Sequence, residues 1–320
     1  MNKSLFIMTL ALGLAACSSQ NGSELSAAHQ NEPFADQHKQ FHTHIVRSVS
    51  EEGQVPTPPK DSGFTLITYP SQGKTLPAYI SADPGDGKKH PAIIWVVGGW
   101  SNAIDLDNLV HGDWDNDQSA LAFADHGIVT LFPTFRGGSS GTGAKEAKYG
   151  EMDDVIAAYD YLASQPYVDT NRIYLGGHST GGTLVMLTAE AMDKFRAVFA
   201  FGATDRFEKH NATQFVFDTN DKREFNLRSP ILWLSDIKNP TFVFEGDQSD
   251  KAQSLEAMKS TTKNGQVHFY LVNHADHFST LAPLTEMLAK KVVEDTGPQS
   301  NIQITDADVQ AAMAQPPIQR

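Results

Sequence analysis

The sequence holds a single cysteine, Cys17, in 320 residues. That excludes an internal disulfide and a thiolate zinc site. Basic residues are also in short supply: 25 Lys and Arg stand against 38 Asp and Glu, a formal net charge of -13. A chain of this sign repels a phosphate backbone, which sets nucleic acid aside as a partner. The acidic residues are spread along the chain, so they mark no acidic tail. After the first 17 residues no apolar run approaches the ~20 residues that a membrane-spanning helix needs. No internal repeat is present. His38, His42 and His44 lie close together, but no carboxylate or cysteine cluster completes a metal site around them. Neither a metal nor an organic cofactor is expected. Hydrophobic residues make up 40% and charged residues 20%, the balance of a globular protein, and the length suits one large α/β domain or two small ones.

The N-terminus has its own character. Residues 1–17 read MNKSLFIMTLALGLAAC: Lys3, an apolar stretch from Leu5 to Leu14, then small residues. This is a secretory signal segment and is left out of the fold. Its end, Leu14-Ala15-Ala16-Cys17, resembles a bacterial lipoprotein box. The resemblance implies cleavage before Cys17 and acylation of its thiol and new amine. Several acyl chains hold a protein on a membrane without any spanning helix. Ser18 does not resemble the inner-membrane retention signal, so the implied address is the outer membrane of the bacterial envelope. Residues 18–60 are polar, end in Pro56, Pro58 and Pro59, and read as a tether followed by an irregular approach.

From residue 61 to 297 the pattern is that of one α/β domain. Residues 64–69 and 76–81 form a hairpin pair around Gly73. Apolar, β-branched runs follow at 92–97, 128–133, 172–175, 197–201, 241–245 and 267–272. Helical stretches at 117–126, 151–164, 181–192, 252–262 and 284–293 alternate with them. The alternation predicts a mostly parallel sheet of about eight strands with helices on both faces. Residues 203–229 break the rhythm and read either as a cap over a site or as a plain surface excursion. The tail, 298–320, is polar and is expected to be peripheral.

Chemistry concentrates in Gly176-Gly177-His178-Ser179-Thr180-Gly181-Gly182. A lone G-x-S-x-G is a weak signal. Here a strand precedes it and a helix follows, which puts Ser179 on a sharp turn with its oxygen exposed above the sheet edge. The helix N-terminus then faces any developing negative charge. A serine hydroxyl is a weak nucleophile and needs a base. His274 and His277 follow the last strand. His277 is favoured because it lies further past the strand end, where a loop can bring it over Ser179. A carboxylate should orient that base, in the chain order Ser, acid, His. Asp250 is the first choice because it lies further into its loop, Asp247 the alternative and Glu245 a third. An oxyanion hole would use the N–H of Thr180 and that of Gly99 or Trp100. Residues 113–117 are a poor calcium loop, lacking its glycine and glutamate, and Arg136 is either a substrate contact or a structural ion pair.

On these residues the chain resembles the prolyl oligopeptidase and dienelactone hydrolase branch of the α/β-hydrolases. The matching pieces are Gly98-Gly99, Arg136-Gly137-Gly138, the stretch GEMDDVIAAYDYLASQPYVDTNRIYLGGHSTGG from Gly150, and Asp276-His277-Phe278. The resemblance spans roughly residues 62–295. It implies hydrolysis of an ester or peptide bond through an acyl-enzyme, and it carries over Ser179 and His277. The family often shows His-Gly-x-x-Asp at the acid loop, where this chain has Glu245-Gly246-Asp247-Gln248-Ser249-Asp250. Only short polar sequence precedes the hydrolase portion, so no β-propeller is expected to gate the site. Two other readings share the motif set: a non-catalytic binding lipoprotein on the same fold, and an acyltransferase using the same triad.

Overall fold

The computed structural model describes residues 32–207 and 215–318. Cys17, the signal segment and the first part of the expected tether lie outside the described residues.

One sheet of eight strands organises the chain: β1 (Phe64–Ser71), β2 (Lys74–Ser81), β3 (His90–Val96), β4 (Val129–Pro133), β5 (Val168–His178), β6 (Val198–Phe201), β7 (Thr241–Gly246) and β8 (Val267–Val272), in the order β1-β2-β4-β3-β5-β6-β7-β8. β1 and β2 form the expected hairpin, turned by Gln72 and Gly73 at positive φ, and β2 runs antiparallel to β4. The other strands are parallel. All five residues of β4 and all six of β7 are buried, as parallel strands covered on both faces must be.

Helices α3 (Glu151–Ala163), α4 (Thr180–Ala191) and α6 (Ala252–Thr261) cover one face, with α1 (Phe34–Gln40) lying on α4. α2 (Ala122–Asp125) and α7 (Leu281–Glu294) cover the other, with α8 (Asp306–Met313) beside α7. An aromatic ladder runs across the sheet on the α2 and α7 side. Phe201, Phe244 and Tyr270 sit in register on β6, β7 and β8, with ring centroids 4.9 and 5.1 Å apart. In-register aromatic pairs pin strand alignment.

Three expectations need correction. The helix expected over 117–126 shrinks to α2. Asp117 accepts hydrogen bonds from both the backbone and the hydroxyl of Ser119, and Ala120 stands at φ 52°, which no right-handed helix tolerates. The tail is not peripheral. Ile302, Ile304, Val309 and Ala312 join the main core, Tyr270 donates to the Ile304 carbonyl, and Arg196 ties Asp295 to the Gly297 and Gln299 carbonyls. Residues 33–60 also pack on the domain: Phe34 is fully buried against Trp233, and Ile45 bridges to Phe217. α5 (Lys222–Asn226) lies within the segment that breaks the rhythm.

Glu190, on α4, has both oxygens of its carboxyl buried without a hydrogen-bond partner among the described residues, and it is 2% exposed. Burial, with the Asp236 carboxylate nearby, pushes its pKa well above the ordinary range. The folded chain therefore keeps a proton that the unfolded chain releases, and stability falls as pH rises through that window. A buried unpaired polar group costs about 1–3 kcal/mol. Glu190→Met is expected to raise stability by about 1–2 kcal/mol at pH 8 and by less at pH 4. Urea denaturation at the two pH values measures the gap; a gap that stays constant would count against a titrating Glu190.

Candidate active site

Ser179 stands between β5 and α4 at φ 57°, ψ -116°. A non-glycine residue there is strained, and it persists because its surroundings fix it. Its N–H donates to the Phe201 carbonyl at 2.7 Å, and its own carbonyl accepts from Thr183 N–H at 3.0 Å. A side chain at Gly181 would overlap the Val96 carbonyl, so α4 can start this close to β3 only through glycine. The β3 and β5 loops thus meet at the carboxyl edge of the sheet, where the chain has crossed from β4 back to β5. Ligands of open α/β sheets bind at such switch points.

His277 lies in the loop after β8. Its Nδ1 is 3.0 Å from Glu245 Oε2, and Glu245 is 2% exposed. The other Glu245 oxygen accepts from Gly246 N–H at 2.8 Å. A carboxylate only accepts, so Nδ1 carries the hydrogen and Nε2 presents its lone pair. Asp276 shapes the turn, accepting from Phe278 and Ser279 N–H; these bonds hold its carboxyl below its usual pKa.

The acid expectation is overturned here. Asp250 points outward, its side chain 81% exposed and paired at 3.5 Å with Lys251. Asp247 accepts from the backbone of His274 at 2.8 Å, and His274 itself is exposed. Glu245 meets His277 because two glycines let the histidine loop settle directly on the strand ends. A Cβ at Gly246 would overlap the Ala275 carbonyl, and one at Gly202 would overlap the His277 imidazole. With the loop this close, the carboxylate that meets His277 comes from the strand end itself.

His178, which the sequence reading passed over, buttresses this loop. Its ring centroid is 4.6 Å from that of His277. Its Nε2 is 3.1 Å from the His277 carbonyl, so Nε2 donates and Nδ1 is left without a hydrogen. Burial, reinforced by the neighbouring His277, lowers its pKa to about 3. His178 therefore stays neutral at physiological pH and adds no charge beside the base.

On the other side of Ser179, the Thr180 hydroxyl donates to the Gly99 carbonyl, tying α4 to the loop after β3. The N–H groups of Thr180, Gly99 and Trp100 have no partner among the described residues. They are the donors expected of an oxyanion hole. Ser179 Oγ likewise has no hydrogen bond among the described residues, so serine and imidazole are not yet joined in this conformation. Such bonds often tighten only when substrate is bound.

Two hollows open beside Ser179, sharing Trp100, Lys148, Thr180 and Phe215. The narrower, about 290 Å³, is walled by apolar side chains such as Val97, Leu184 and Val216; the wider, about 700 Å³, reaches Ser179 and α6. The described flanks of the 203–229 segment supply Phe207 and Phe215, which belong to a small apolar cluster with Val216, Phe217 and Phe225. Residues 208–214 lie outside the described residues. Arg136 touches neither hollow; it is 2% exposed and bound to Asp154, Glu146 and Gln72. Among the described residues no group of three or more His, Cys, Asp or Glu is placed to hold a metal ion.

An eight-stranded sheet of this order, with a serine on the turn after β5, is the α/β-hydrolase arrangement, and the class is a serine-type hydrolase. Residues 114–281 match the prolyl oligopeptidase family, and the chain belongs to that family. It is 23% identical over 232 residues to the uncharacterized peptidase YtmA of Bacillus subtilis, which covers 69% of this chain and 86% of that one. Among solved structures, a puromycin-hydrolyzing peptidase of Mycobacterium tuberculosis superposes with a TM-score of 0.58 at 16% identity, over 72% of this chain and 40% of that one. An esterase of Pyrococcus furiosus superposes with a TM-score of 0.56 at 15% identity, over 79% of this chain and 97% of that one. The chain spans 20% of the length of two further curated relatives.

Proposed function

We propose that this protein cleaves an ester or peptide bond through an acyl-enzyme on Ser179, with His277 as general base and Glu245 as its orienting carboxylate. The observation that carries this reading is the imidazole held by Glu245 at the same sheet edge as the strained Ser179 turn. Ser179 Oγ attacks the carbonyl carbon while His277 Nε2 takes its proton. Glu245 stabilises the imidazolium. The tetrahedral oxygen accepts from Thr180 N–H and from Gly99 or Trp100 N–H. The intermediate collapses, and His277 returns the proton to the departing alcohol or amine. Water then repeats the sequence on the acyl-enzyme and frees Ser179.

Reaction of the full chain with a fluorophosphonate, followed by peptide mass mapping, tests this reading. A single adduct on Ser179 supports it. No adduct in protein shown to be folded by circular dichroism would overturn it in favour of the binding-protein reading. That rival draws on one observation, the missing bond between Ser179 and His277.

Acylation at Cys17 and residence in the bacterial envelope belong to the same proposal, supported by the sequence of residues 1–17. Cells fed an alkyne-bearing palmitate are expected to label the protein, and Cys17→Ala is expected to abolish the label. A label that survives the substitution would refute lipidation at this residue.

A further inference from the structure

Lys148 borders both hollows beside Ser179. Its ammonium lies 4.9 Å from the centre of the Trp100 ring and 5.4 Å from that of Phe207. Among the described residues it has no carboxylate and no hydrogen-bond acceptor. The other cations of the narrow hollow are engaged. Lys145 is held by Glu51 and the Trp100 carbonyl, and Arg47 donates to the Phe215 carbonyl. Glu151 and Arg228 act on this partly buried ammonium only through their charges, and its donors stay available for a ligand.

The backbone holds Lys148 in place at some expense of strain. Ala147 and Lys148 are consecutive non-glycine residues at φ 53° and 80°. The fully buried Arg228 fixes the turn, donating to the Glu146 and Ala147 carbonyls at 2.8 and 2.9 Å. The Glu146 N–H is held by Glu151 Oε1 at 2.8 Å. Strain of this kind persists where the surroundings over-determine it and gathers at functional sites.

Charge in the narrow hollow is one-sided. Among the described residues, Arg47, Lys145 and Lys148 line it against one carboxyl, Glu151, which is 2% exposed and whose Oε2 finds no hydrogen-bond partner there. Burial raises the Glu151 pKa. The wider hollow adds Asp205, engaged by Ser254 at 2.8 Å, and Asp250, paired with Lys251. In a chain of net charge -13, the narrow hollow is therefore largely apolar and locally cationic.

We infer that Lys148 is a specificity residue, and that the preferred substrate carries a carboxylate on an apolar acyl portion beside the scissile carbonyl. This rests on the hydrolase reading above and deepens it. The carboxylate would supply the partner that no described residue gives Lys148, and the apolar chain would lie along Val97, Leu184 and Val216. Burial lowers the Lys148 pKa to about 8, so the ammonium is present at neutral pH and is lost above it.

The test uses matched pairs that differ only in charge: p-nitrophenyl hydrogen glutarate against its neutral methyl ester, and glycyl-glutamyl against glycyl-glutaminyl p-nitroanilide. The anionic member of at least one pair is expected to show a kcat/KM higher by about tenfold or more. Lys148→Met is expected to collapse that ratio towards one, Lys148→Arg to keep most of it, and Lys148→Glu to invert it. The ratio in the parent protein is expected to decline as pH passes 8. Fluorophosphonate labelling of Ser179 in each variant confirms an intact site. Ser179-dependent turnover with a ratio of one or below, or a ratio that Lys148→Met does not change, overturns this inference alone. No Ser179-dependent turnover of any pair overturns the hydrolase reading and this inference with it.

Discussion

Glu245→Gln is expected to lower kcat about 10⁴-fold and Ser179→Ala about 10⁶-fold, while Asp250→Asn stays within about threefold of the parent. Glutamine keeps the size of Glu245 but removes the charge that stabilises an imidazolium. It also offers an amide N–H where Nδ1–H needs an acceptor, so the ring is held in the wrong tautomer. Asp250, exposed and paired with Lys251, touches nothing in that chain of bonds. Glu245→Asp is the sharper variant. It keeps the charge but falls one methylene short of His277 Nδ1, now 3.0 Å away, and a misplacement near 1 Å costs about 10²-fold. Steady-state kinetics on one p-nitrophenyl ester ranks all four. An inactive Asp250→Asn beside a fully active Glu245→Gln would place the acid in the loop after all.

The contrast between Glu245 and Asp250 shows where sequence reasoning ran out. Strand and helix periods placed all eight strands, because buried parallel strands are continuous apolar runs and the helices between them are not. They also placed Ser179 at a strand-to-helix turn, since glycines flank it on both sides. Glu245 ranked only third because its meeting with His277 depends on how deeply the 273–278 loop settles, which a pattern of periods does not encode. Gly202 and Gly246 do encode it, but only once both are known to face the same loop. The tail misled for a related reason. Ile302, Ile304 and Val309 are few among polar residues, yet each finds the core. Lys148 gave no signal at all. Its role arises from a turn held by Arg228, 80 residues further along the chain, through the Glu146 and Ala147 carbonyls.

Arg136→Met is expected to destabilise the fold by about 3–5 kcal/mol, a large fraction of the roughly 5–15 kcal/mol that holds a typical domain together. Arg136 Nε and Nη2 meet the two oxygens of Asp154 at 3.0 and 2.9 Å, and Nη1 meets Glu146 at 2.6 Å. Ser71, at the end of β1, donates to the same Asp154 at 2.6 Å. Asp154 is fully buried, so removing its guanidinium partner strands a charge with no access to water. Lysine would not replace it, because one ammonium cannot span both carboxylate oxygens. The double variant Arg136→Met, Asp154→Leu is expected to lose less than Arg136→Met alone, since no charge is then left unpaired. The same network steadies the loop after β3: Asn102 donates to the Arg136 carbonyl at 2.7 Å and accepts from Phe135 N–H at 2.9 Å. Loss of Arg136 should therefore reduce turnover at temperatures where the protein is still folded, and the double variant should recover stability without recovering turnover in full. Urea denaturation at pH 7 measures the first effect and kcat below the melting transition the second. A single variant as stable as the parent would show that water reaches Asp154 and that the buried pair is dispensable.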